Sequence, residues 1–147
     1  MTSKPQYPFS VGAYQWLYRQ APIYYMVLAF AFLGALLILG GQEQPVHALP
    51  SPIAHMDKVY HFMAFSTLAA LGWFYFKGTQ AWRVIVGVAL AGVIDETHQA
   101  FLSFRTADVA DLATDIGAAL VAVALLRALH RFAGSHDPSF FRLARSS

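Results

Sequence analysis

Three short stretches hold most of the side chains that could do chemistry. Asp57, Lys58 and His61 form the first. Asp95, Glu96, His98 and Gln99 form the second. Asp108, Asp111 and Asp115 form the third, with Arg105 just ahead of it. Six of the eight acidic residues lie in these stretches. On a helix, Asp57 and His61 stand at i,i+4. Asp95, His98 and Gln99 stand at i,i+3 and i,i+4, and Asp108, Asp111 and Asp115 at i,i+3 and i,i+7, so each set shares one face. Adjacent Asp95 and Glu96 in low dielectric should titrate together, with one proton held more tightly, and could supply one acid and one base. Adjacent side chains point about 100° apart on a helix, however, so the two cannot line one narrow site equally. Lys58, His61 and Arg105 suit an anionic group such as phosphate or carboxylate. His61, His98, Glu96 and the aspartates carry nitrogen and oxygen donors of the kind that hold metals. There is no H-E-x-x-H or similar spacing, and the sequence assigns neither a metal nor a cofactor. The chain has no cysteine, which excludes disulfides, thiolate metal sites and a cysteine nucleophile. G-x-S-x-G is absent too, which argues against a serine hydrolase.

Each of these residues also has a purely structural reading. Lys58 could snorkel and His61 could bond a backbone carbonyl at a helix end. Asp95 and Glu96 could lock two helices together through Lys58 or Arg105. Asp108 and Asp111 could be helix N-terminal acids favoured by the dipole, a reading that fits Asp115, two turns in, poorly. Ser66 and Thr67 are expected to bond their own helix backbone.

The elements that must position these residues are set by an apolar composition. Of 147 residues, 57% are hydrophobic and 12% charged, against roughly a quarter charged in soluble domains. Mean hydropathy is +0.47. So few charges cannot easily coat a soluble fold of this size, and lipid is the expected solvent for much of the surface. Ile23–Leu39 is 17 residues without a charge, near the ~20 that a helical span needs. A signal peptide is the competing reading, with Val46 and Ala48 at its cleavage site, but the run exceeds the usual h-region and follows 22 residues. Val59–Phe76 is the second span, ending in an aromatic belt of Trp73 to Phe76. The third and fourth have apolar cores at Val84–Ile94 and Ile116–Leu126, and reach spanning length as Ala81–Ser103 and Val109–Leu129.

Orientation follows from Lys and Arg. Lys4, Arg19, Lys77, Arg83, Arg127, Arg131, Arg142 and Arg145 fall on one side of a four-span topology, and Lys58 and Arg105 on the other. That bias predicts cytoplasmic termini. The expected fold is all-α: an integral membrane four-helix bundle with an interfacial segment at 1–22, a membrane domain at 23–129 and a cytoplasmic tail at 130–147. The net charge of +2 gives no reason to expect a nucleic-acid partner. This topology also carries all three polar stretches to the outer half of the bundle. Ionisable groups at that depth are tolerated when turned inward, paired or wetted, which predicts an outward-facing polar cavity between spans two, three and four.

The motifs together resemble the VanZ-like family of small bacterial membrane proteins. The matching residues are Asp57-Lys58-Val59-Tyr60-His61-Phe62, Asp95-Glu96-Thr97-His98-Gln99, Arg105-Thr106-Ala107-Asp108-Val109-Ala110-Asp111-Leu112 and Asp115-Ile116-Gly117. At Asp115 the family often has Asn, so this chain carries an additional acid. The resemblance implies a four-helix protein of the bacterial cytoplasmic membrane, and the founding member is associated with resistance to the glycopeptide teicoplanin.

Three functions are compatible with this reading. One is a binding protein whose cavity holds a cell-envelope lipid, a lipid-linked precursor or a glycopeptide. Its ligand residues would be Asp57, Lys58, His61, Asp95, Glu96, Gln99, Arg105, Asp108, Asp111 and Asp115. A second is a membrane enzyme acting on a lipid headgroup, with Asp95 or Glu96 as base and His61 or His98 as partner. A third is a small transporter or scaffold subunit, which would require an oligomer.

Overall fold

The computed structural model describes residues 9–41, 56–103 and 107–136. Those residues form five helices and no strand: α1 (Phe9–Arg19), α2 (Pro22–Gly40), α3 (Met56–Tyr75), α4 (Ala81–Ala100) and α5 (Val109–His136). The all-α expectation holds. The bundle expected from four spans carries an additional helix, α1, and α5 continues seven residues past Leu129.

Local chemistry explains the boundaries. Pro22 opens α2 behind the extended Ala21, where a missing N–H costs nothing. Gly41 closes it, its amide donating to the Leu37 carbonyl. The α3 end is a Schellman motif: the Gly78 amide reaches the Trp73 carbonyl at 2.9 Å and the Lys77 amide reaches Phe74 at 3.2 Å. Lys77 and Gly78 both adopt left-handed φ, 50° and 68°. Gly78 has a second reason to be glycine, because a Cβ there would stand 2.9 Å from the Trp73 ring. Asp108 caps α5, its Oδ1 accepting from the Ala110 amide at 2.8 Å.

Helix α3 is central, packing on α2, α4 and α5, while α4 also packs on α5 and α1 lies against α5. Helix α1 is tied in by aromatic groups. Val11, Tyr14 and Tyr18 are buried. The Tyr14 hydroxyl accepts from Trp73 Nε1 at 3.0 Å and lies 2.8 Å from His130 Nδ1. Tyr18 donates to the Lys77 carbonyl at 2.7 Å. The Lys77 ammonium in turn caps the end of α1, donating to the Tyr18 and Gln20 carbonyls. Burial pushes the Tyr14 and Tyr18 hydroxyls up and the Lys77 ammonium down.

Two helices, Pro22–Gly40 and Val109–Ser135, are long and apolar enough to cross a membrane. The core is mainly apolar, with Phe65, Trp73 and Val123 buried, but it also takes in ionisable groups while large apolar side chains stay exposed. Buried positions include His61, Asp95, Glu96, Gln99, Asp111 and Asp115, while Phe30, Ile38, Met63, Leu90 and Leu125 face outward.

Candidate functional site

The polar stretches converge where the start of α3, the end of α4 and the start of α5 meet. His61, on the second turn of α3, is buried with its ring stacked on Phe65 at 5.8 Å between centroids. Its Nδ1 lies 3.0 Å from Oδ1 of Asp115, which is fully buried on α5. One turn earlier on α3, Lys58 donates to Asp111 at 2.6 Å and Asp108 at 3.3 Å. These two rungs, Lys58 to Asp111 and His61 to Asp115, join α3 to α5 at matching helical intervals. The backbones can approach because Gly92 of α4 stands opposite Asp115. A Cβ at Gly92 would lie 2.9 Å from Asp115 Oδ2.

Asp95 and Glu96 separate as their angular spacing requires. Asp95 accepts from Gln99, one turn on, at 3.1 Å. Glu96 instead accepts from the Asp108 backbone amide at 2.8 Å, tying the end of α4 to the start of α5. Asp108 itself lies at the surface. The amide of Ala110, and then the Lys58 ammonium, hold its carboxyl below the ordinary carboxylate range.

The structure therefore brings together Lys58, His61, Asp95, Glu96, Gln99, Asp108, Asp111 and Asp115. His98 stands apart, beside the end of α2, where its Cε1 would be 3.1 Å from a Cβ on Gly41. The side chain of Asp57 and all of Arg105 lie outside the described residues. The hydroxyl of Thr67 bonds the Met63 carbonyl of its own helix, as expected.

The polar groups are bonded mainly to one another. Lys58, expected to meet an anion, already serves two carboxylates. Two atoms of the cluster, and one outside it, differ from the rest. Glu96 Oε1, Asp115 Oδ2 and, farther off, His98 Nδ1 are buried and make no hydrogen bond. One donor atom each from His61, Glu96 and Asp115 lie within 4.8 Å of one another. Spacing alone could not reveal this trio, because each member comes from a different helix.

A cavity of about 350 Å³ lies elsewhere, between α2, α3 and α4. Ala29, Leu33, Leu68, Val88 and Ala91 line it, and Tyr75, Phe76 and Arg83 stand at the α3–α4 end. The sequence showed its parts only as ordinary apolar positions on three helices.

Compared with known families, residues 6–130 match a family model described as VanZ/LLP1. The chain belongs to the VanZ/LLP1 family. The match takes in four helices whole, from α1 to α4, and most of α5, so the aromatic tie of α1 falls within the VanZ/LLP1 region along with the polar cluster. No curated protein and no solved structure matches the chain.

Proposed function

We propose that this VanZ/LLP1 chain is a multi-pass protein of the bacterial cytoplasmic membrane, with cytoplasmic termini, that binds a cell-envelope lipid. The many exposed large apolar side chains, set against buried ionisable groups, support several spans. Helices α3 and α4 have 20 residues each, about 30 Å of helix, and their buried ionisable groups face other helices while large apolar side chains face out.

The observation that carries the binding reading is the groove between α2, α3 and α4. It is half-open and lined almost wholly by apolar side chains. An acyl chain is the ligand such a groove would exchange with surrounding lipid. Arg83 stands at one end and is exposed, at the side where the Lys and Arg bias places the cytoplasm. Its guanidinium suits a phosphate headgroup.

The test is native mass spectrometry of the full chain extracted with its own lipids. Gly87 lines the groove, and a Cβ there meets nothing within 4 Å. Gly87→Leu should therefore fill the groove while preserving the fold. The expected result is lipid retained by the wild type and largely lost from Gly87→Leu, with Arg83→Gln keeping lipid but losing preference for anionic headgroups. The same lipid complement in all three proteins would overturn the proposal.

A further inference from the structure

We propose that His61, Glu96 and Asp115 form a binding site for a divalent transition-metal ion. This site is separate from the apolar groove and does not depend on lipid binding.

The first argument is geometric. The three residues come from α3, α4 and α5, and one donor atom from each lies within 4.8 Å of the others. Donors around a tetrahedral zinc at 2.0–2.2 Å stand about 3.4 Å apart. Side-chain rotations that shorten the donor–donor separations by up to about 1.4 Å, starting from the 4.8 Å limit, would complete that arrangement. Gly92 keeps the space beside Asp115 open, where a Cβ would press on Oδ2 at 2.9 Å.

The second argument is unmet bonding capacity. Asp115 is fully buried and Glu96 is only 9% exposed. Each keeps one buried oxygen without a hydrogen-bond partner, although buried polar groups are nearly always bonded. The neighbouring acids are already served, Asp95 by Gln99 and Asp111 by Lys58. A single proton on Asp115 Oδ2 or Glu96 Oε1 would cancel only one of the two carboxylate charges. A divalent cation supplies both the charge and the missing bonds.

The donor set selects the class of ion. Calcium takes six to eight oxygen ligands, and magnesium prefers an octahedral oxygen shell with several waters. One imidazole with two carboxylates suits zinc, iron or manganese and leaves coordination positions open.

The test uses the full-length untagged protein in nanodiscs, stripped with chelator and dialysed against zinc. Wild type should retain about one zinc per chain. Asp115→Asn, Glu96→Gln and His61→Gln should each weaken retention by at least about tenfold, while Asp108→Asn, outside the trio, should keep it. Cobalt provides a second measurement that needs no variant: the wild type should give a visible absorption band that one equivalent of zinc abolishes. Wild type that holds no zinc and gives no cobalt band overturns the proposal. Retention that is the same in a folded trio variant as in wild type also overturns it.

Discussion

Gly92→Ala is the most direct perturbation of the contact between α4 and the polar cluster. The added methyl would lie 2.9 Å from Asp115 Oδ2, 2.9 Å from Leu112 Cδ1 and 3.5 Å from Asp115 Cβ. Leu112 can turn its terminal methyl aside. Asp115 cannot yield so easily, being fully buried with its other oxygen 3.0 Å from His61 Nδ1. Overpacking of this kind costs about 1–3 kcal/mol. Glycine to alanine in a helix also gains about 0.8–1 kcal/mol of propensity, which would mask part of the loss. Gly87→Ala supplies the control. It lies on the same helix and gains the same propensity, but its Cβ meets nothing within 4 Å. The difference between the two variants isolates the steric cost. Gly92→Ala should be less stable than Gly87→Ala by about 1–3 kcal/mol, read by reversible unfolding in mixed micelles. The His61 Nδ1 resonance should move in the first variant and stay in place in the second. Equal stability of the two variants, with an unmoved His61 signal, would refute the close approach of α4 to Asp115.

Tyr14→Phe should destabilise by about 1–3 kcal/mol because Trp73 Nε1–H loses its acceptor inside the fold. Tyr18→Phe, which removes one bond to a carbonyl, should cost about 0.5–1.5 kcal/mol. Thermal unfolding compares them, and the reverse order would count against α1 as an integral helix. Asp108→Ala should melt below wild type at neutral pH. The folded carboxyl titrates below its ordinary value, so its contribution is present above that ordinary value and is lost as pH falls through the lowered one. The gap between the melting curves should therefore close on acidification, and a constant gap would contradict the assignment. The absence of cysteine makes topology directly measurable. In intact cells, Ser103→Cys should react with an impermeant maleimide, and Thr79→Cys should react only after permeabilisation. The opposite pattern would reverse the orientation.

Much of this arrangement was legible because the expected span placement and helical spacing constrain the same residues. The interval from Lys58 to His61 and that from Asp111 to Asp115 place cation and acid at corresponding heights on two parallel helices, and the structure joins them in that order. The 100° offset between Asp95 and Glu96 likewise foretold their separate partners. The α1 helix was less legible. Its buried Val11, Tyr14 and Tyr18 repeat at i,i+3 and i,i+7, which was the available signal. Interfacial and packed aromatic helices share that pattern, however, and only the distant partners Trp73 and His130 distinguish them. Gly92 was likewise indistinguishable from Gly87 as a letter in a sequence, although one faces Asp115 and the other the groove.

The charge distribution of the cluster also alters the chemistry first expected of it. Read along the chain, Lys58 and His61 are cationic groups at headgroup depth, which points to an anionic ligand. In the fold, Lys58 is held between Asp108 and Asp111, and His61 lies against Asp115. Asp95 and Glu96 are buried alongside, so among the described residues carboxylates outnumber the bases of the cluster. An anion that took the place of Asp111 on Lys58, or of Asp115 on His61, would leave a buried carboxylate without its partner. A cation would add a partner without displacing one. The polar end of the bundle therefore favours positive charge, whereas the exposed Arg83 at the far end of the groove favours negative charge. If lipid and metal both bind, they should bind independently, since neither uses the other's residues. Loading zinc should then leave the lipid complement unchanged, and Gly87→Leu should lose lipid while retaining zinc.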